Sequence, residues 1–119
     1  MGKIKSHKDL DIWIQSMNLV SMIYNLTSEF PSSEKFGIIS QMRRAAVSIP
    51  SNIAEGFARQ TTKELIQFLY ISSGSLSELE TQLLISKNLG FVKDINEPEV
   101  LIIRTKMMIS KLISKLRKK

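Results

Sequence analysis

Gln41-Met42-Arg43-Arg44-Ala45-Ala46-Val47-Ser48-Ile49-Pro50-Ser51-Asn52-Ile53-Ala54-Glu55-Gly56 is the stretch on which the fold turns. Met42, Ala45, Ala46, Ile49, Ile53 and Ala54, with Ile38 in front of them, recur at spacings of three and four and so mark one face of a helix. Pro50 stands in the middle of that repeat. A proline there removes the amide that would bond the Ala46 carbonyl and bends the ladder, which predicts a kinked helix or two short helices meeting near residues 48–50. Ala45, Ala46, Ser48, Ser51 and Ala54 are small enough to admit a neighbouring helix closely.

Working outward, this second segment covers about residues 33–57, with Ser32 or Ser33 as its cap and Glu34 in its first turn. Before it, Leu10, Trp13, Met17, Val20 and Tyr24, broadened by Ile14, Ile23 and Leu26, describe a first helix over about 10–28, which Phe30-Pro31 ends. After it, Thr61 or Thr62 caps a long third helix over about 62–88, whose inward face is Leu65, Phe68, Leu69, Ser72, Leu76, Leu79, Leu83 and Ser86. Gly74 interrupts that helix without shifting its phase, and Leu89-Gly90-Phe91 ends it at a left-handed glycine cap. Asn96-Glu97-Pro98-Glu99 reads as the start of a fourth helix over about 97–117, with Asn96 as cap. Its apolar residues Leu101, Ile102, Ile103, Met107, Met108, Ile109, Leu112, Ile113 and Leu116 cover more than one side, a surplus that points to self-association. The pattern predicts an all-α, antiparallel up-down four-helix bundle with a Pro-bent second helix and a flexible basic tail at 1–8, one domain in 119 residues.

The chain has no cysteine, which removes disulfides, thiolate nucleophiles and thiolate metal sites. Apolar runs are too short to cross a bilayer and no signal segment is recognisable, so the expected location is the cytoplasm and no membrane is expected as a partner. The net charge of +6 is concentrated at one end: residues 104–119 carry seven of the 17 basic residues and no acid. His7, the single histidine, is expected to be solvent-exposed, and Glu78 and Glu80 point to different sides of a helix. No catalytic, metal or cofactor arrangement is present in the spacing, so the protein is expected not to be an enzyme and to need no cofactor.

Two sets of polar residues remain. Arg43, Arg44, Ser48, Asn52 and Glu55, extended by Arg59, are separated by steps that align on one helix ridge. They read either as a structural network that ties the second helix to a neighbour, or, for Arg43, Arg44 and Arg59, as phosphate contacts. In the second set Arg104, Lys111, Lys115 and Lys118 recur at seven, four and three and share a face, with Lys119 nearby and Arg117 and Lys106 to other sides. This set reads as a nucleic-acid contact or as a solubilising helix end. Trp13 and Tyr24 are expected in the core rather than as base-stacking platforms.

With these residues laid out, the chain resembles the small four-helix-bundle proteins associated with intervening sequences of bacterial 23S ribosomal RNA genes. The likeness rests on Asp9-Leu10-Asp11-Ile12-Trp13, Tyr24-Asn25-Leu26-Thr27, Phe30-Pro31, Glu34-Lys35-Phe36-Gly37, the 41–56 stretch, and Glu64, Phe68-Leu69, Gly74-Ser75-Leu76 and Glu78-Leu79-Glu80-Thr81-Gln82-Leu83. The resemblance implies a cytoplasmic homo-oligomer, a ring or barrel of five (a pentamer). The family is also similar to the accessory proteins of diversity-generating retroelements, basic pentamers that engage a reverse transcriptase and nucleic acid. The expectation is therefore a non-enzymatic adaptor that partners itself and RNA or DNA, with a protein-binding scaffold as the rival.

Overall fold

A computed structural model describes Ser6, His7 and residues 10–118. Among these, four helices carry the architecture: α1 (Asp11–Thr27), α2 (Ile38–Phe57), α3 (Thr62–Asn88) and α4 (Asn96–Arg117), with one 3-10 turn at Ser32–Glu34 and no strand. α1 packs on α2, α2 on α3, α3 on α4 and α4 on α1, closing a four-membered ring of helices. Directions alternate. Ser72 reaches Ile49 and Ser86 reaches Met42, Lys106 meets Glu80 and Arg117 meets Tyr70, and Met22 lies by Leu101 while Ile12 lies by Leu112, so residue numbers run oppositely between α2 and α3, α3 and α4, and α4 and α1. The result is an up-down bundle measuring 47 × 22 × 21 Å, its long dimension set by the 27 residues of α3, about 40 Å at 1.5 Å per residue.

The core is built from Leu19, Ile23, Met42, Ile49, Ile53, Leu69, Leu76, Leu79, Leu83, Ile102 and Ile109, all fully buried. On α1 the buried face is Ile12, Ser16, Leu19, Ile23 and Thr27, which corrects the expected stripe: Ile14, Met17 and Tyr24 are exposed and Trp13 and Val20 lie on the flank. The reason is physical. Ser16 and Thr27 donate their hydroxyls to the carbonyls of Ile12 (2.5 Å) and Ile23 (2.7 Å), so they enter the core with their polar atoms satisfied and behave as small apolar residues. Thr105 does the same on α4 with Leu101, and Ser86 on α3 with Gln82. His7 is half-buried, its ring edge-on to Trp13 at 5.2 Å, rather than solvent-exposed. Of the expected tail at 1–8, Ser6 is exposed and residues 1–5 and 8 fall outside the described residues.

Three joints differ in detail from expectation. α2 begins at Ile38, not at 33, because Gly37 leaves the helical region (φ −105°, ψ −117°) and separates the 3-10 turn from the helix. Neither Ser32 nor Ser33 caps α2. Asn96 does not cap α4; the Asp94 carboxylate accepts the Asn96 amide at 2.9 Å instead. At α3 the expected chemistry is present, with Thr61 accepting the Glu64 amide at 3.2 Å and donating to its carboxylate at 2.9 Å. At the other end of α3, Gly90 takes φ +81°, the Phe91 amide returns to the Ser86 carbonyl, and Phe91 settles against the ring of Phe30 at 5.7 Å.

α2 runs unbroken through Pro50, so the option of two short helices is excluded. Its contact with α3 is the tightest in the bundle. Ser72 donates to the Ile49 carbonyl at 2.9 Å, the Ser48 and Ser75 hydroxyls pair at 2.5 Å, and a methyl placed on Gly56 would lie 2.9 Å from Cβ of Phe68. Gly74 is the opposite case, an exposed helix-interior glycine with open space where a Cβ would go. Gly74→Ala is expected to raise stability by about 0.5–1 kcal/mol, read as a higher midpoint in urea with unchanged slope.

Candidate functional site

The α2 ridge does not form one network; its members turn to different neighbours. Arg43 faces α1, where its Nε donates to Thr27 Oγ1 at 2.9 Å, a terminal nitrogen donates to the Tyr24 carbonyl at 3.3 Å, and the guanidinium lies 4.4 Å from the Tyr24 ring centre. Ser48 faces α3 through Ser75, and Asn52 donates back to the Ser48 carbonyl at 2.7 Å. Glu55 pairs with Arg59 at 3.0 Å, and Arg59 also covers the Phe68 ring. Arg44 is exposed and has no hydrogen bond or ion pair among the described residues. The divergence follows from the wheel: Arg43 and Arg44 are consecutive and therefore about 100° apart around the helix. Arg59 stands sixteen residues from Arg43, about 24 Å along the axis, so the three arginines do not make one phosphate site.

Arg43, Arg44, Lys35, Tyr24, Phe36 and Val47 surround an open cleft of about 610 Å³ between α1 and α2. It contains three cations and no acid. Phe36 stands at its rim almost completely exposed (90%), and Tyr24, expected in the core, is 41% exposed here with Arg43 stacked on it. Sequence reasoning missed this cleft, although Phe36, Ser40, Arg43 and Val47 are spaced as one helix face.

The terminal cations also divide. Lys106 and Arg117 turn to α3, the first toward Glu80 at 3.7 Å and the second over the Tyr70 ring at 5.3 Å. Arg104, Lys111, Lys115 and Lys118 remain exposed on the other flank of α4, without an acidic partner among the described residues. Lys119 lies outside the described residues. Beside this row, Val100, Ile103 and Met107 form the surplus apolar stripe on the side of α4 away from the core, and with Arg104, Met108 and Lys111 they line a hollow of about 390 Å³.

A family model described as 23S rRNA-intervening sequence protein matches residues 8–112. The chain belongs to this family. The 23S rRNA-intervening sequence protein match takes in the α1–α2 cleft, Arg44, Arg59, Arg104 and Lys111, and stops short of Lys115, Arg117 and Lys118. A search of the curated proteins finds no match. Among the described residues, this family member has no group of three or more His, Cys, Asp or Glu side chains that could hold a metal, and no helix long and apolar enough to cross a membrane.

Proposed function

We propose that the protein is a non-enzymatic, self-associating adaptor of the cytoplasm that binds RNA or DNA through the outer flank of α4. The observation that carries this reading is the row Arg104, Lys111, Lys115 and Lys118, exposed and unneutralised while the neighbouring Lys106 and Arg117 are engaged with α3. Four free cations on one helix flank track a phosphate backbone, and each one that neutralises a phosphate releases counterions, which makes the affinity salt-dependent. Self-association repeats the row on every protomer, so a weak single site becomes an effective one. The family name, which refers to an insertion in a ribosomal RNA gene, supports nucleic acid as the setting.

The test is a titration of nuclease-treated protein against labelled structured RNA and duplex DNA at several salt concentrations, with the mass followed by light scattering. Lys111→Ala and Lys115→Ala together are expected to weaken binding and to flatten the slope of log affinity against log salt by about one unit for each lost phosphate contact. Unchanged curves overturn the assignment of this row. A second reading, a scaffold for a partner protein, draws on Ile71 and Ile85, which stand exposed fourteen residues apart on the outer side of α3. A specific copurifying protein retained at high salt, with no nucleic-acid binding at low salt, is the outcome that favours it.

A further inference from the structure

The geometry points to the α1–α2 cleft as a pocket for an unpaired nucleotide, its base stacked on the Phe36 ring and its phosphate held by Lys35 and Arg44. This rests on nucleic acid as the ligand in the proposed function and adds a contact of a different kind, on different residues. Phe36 stands 90% exposed where the cleft opens. Its backbone is anchored on the far side: the Gly37 amide bonds the Glu34 carbonyl at 3.0 Å, and the Gln41 amide bonds the Gly37 carbonyl at 3.1 Å as α2 begins. An aromatic face offered to water from a fixed turn is a platform on which a free base can stack, whatever its identity, because every base has a flat face.

The cations lie around this ring. Lys35 Nζ is 5.6 Å from the Phe36 ring centre, and Arg44, in the same cleft, has no ion pair among the described residues. Arg43 is fixed over Tyr24 by its bonds to Thr27 and to the Tyr24 carbonyl, which leaves a flat guanidinium in the cleft wall. No acid lines the cleft, and Glu34 directs its carboxylate to Gly37, where an added Cβ would meet its Oε1 at 2.8 Å. The hydroxyl of Ser40, also in the lining, has no partner among the described residues and is available to a base edge.

Each nucleotide of a single strand carries the two groups this cleft accommodates, a flat ring and an anion. An acidic peptide supplies the anions and brings a ring only where its sequence happens to hold one. A duplex keeps its bases stacked on one another and offers Phe36 no face. At about 610 Å³ the cleft falls within the range of about 300–1,000 Å³ in which small ligands are held. The two surfaces therefore divide recognition between them. The α4 row follows the phosphates of any strand, and the cleft selects strands with unpaired bases.

The probes are a short unstructured pyrimidine strand carrying one 2-aminopurine, made as RNA and as DNA, and a strand of the same length that is abasic throughout. The full chain is expected to bind the base-bearing strand more tightly than the abasic one and to quench the 2-aminopurine emission. Phe36→Ala is expected to weaken binding of the base-bearing strand by about 5- to 150-fold, the range for removing one stacking platform, with the salt slope unchanged. Phe36→Trp is expected to keep the affinity, and Arg44→Gln to lower the salt slope by about one unit. Base-bearing and abasic strands bound alike, or a preference that survives Phe36→Ala, overturns the pocket; the Lys111→Ala and Lys115→Ala result then decides the α4 row separately. No binding of any strand at low salt overturns the pocket together with the proposed function. A Phe36→Ala protein whose mass by light scattering differs from that of the unmodified protein assigns the ring to a contact between copies and overturns the pocket. A tryptophan-containing oligoglutamate peptide bound with the same dependence on Phe36 assigns the cleft to a protein partner and overturns it as well.

Discussion

Ile49→Ala is expected to destabilise the protein by about 2–5 kcal/mol, the range for deleting a buried isoleucine down to its Cβ. Ile49 is fully buried at the middle of α2, and its carbonyl receives the Ser72 hydroxyl from α3 at 2.9 Å. The residue therefore stands where the two most closely packed helices meet. Pro50 follows it and cannot donate an amide, so this part of α2 relies on packing more than an uninterrupted helix does. Ile49 belongs to one continuous buried cluster with Ile53, Leu76 and Met42, and the close packing of such an interior limits how far the site collapses around the missing atoms. Set against a total of about 5–15 kcal/mol for a domain of this kind, the loss is a large fraction of the whole. Urea denaturation at one fixed protomer concentration measures it, because self-association adds a concentration-dependent term. A change below about 1 kcal/mol would show that this site relaxes, and that the α2–α3 contact is not close-packed there.

Gly56→Ala carries the second large effect, about 1–3 kcal/mol of destabilisation from overpacking. The sign is the point. Alanine normally improves a helix interior over glycine, as expected at Gly74, yet at Gly56 the added methyl lies 2.9 Å from Cβ of Phe68 and 3.1 Å from a methyl of Leu65. The Phe68 Cβ is fixed to the α3 backbone and cannot rotate away, so the two helices have to separate. Separation strains the Ser48–Ser75 and Ser72–Ile49 hydrogen bonds further along the same contact. Measuring Gly56→Ala and Gly74→Ala side by side under the same conditions checks the geometry directly: opposite signs are expected, and a shared sign would mean that α2 and α3 are not held as closely as described.

Much of the fold was legible because the signals that specify it are local. The Thr61 cap and Glu64 mark the start of α3, the Gly90 turn its end, and the three-and-four spacing of Met42, Ala45, Ile49 and Ile53 keeps α2 helical across Pro50. Where a local signal had a competitor nearby, the reading missed by a few residues. Ser32 and Ser33 look like caps, but Gly37 decides where α2 begins; Asn96 looks like a cap, but Asp94 two residues earlier holds its amide. The candidate site was less legible. Arg44 and the α4 cations were identified as residues, while the split of Arg43 toward α1, and of Lys106 and Arg117 toward α3, depends on which helix lies beside each of them.

By itself the sequence determined that this chain forms four helices, roughly where each begins and ends, that no thiol chemistry is available to it, and that its positive charge gathers at the end of α4. These follow from backbone propensities, capping and composition, which act within a few residues. Only the tertiary structure decided which flank of each helix faces outward. Ser16, Thr27, Ser72, Ser86 and Thr105 are buried because their hydroxyls find carbonyls, so they count as core while reading as polar. That shift of register turns Tyr24 out into the α1–α2 cleft, and with Phe36 and the α4 stripe it leaves apolar surface on two sides of the bundle. The exposure of a side chain is a property of its neighbours, and its neighbours here come from helices that the chain brings together only on folding.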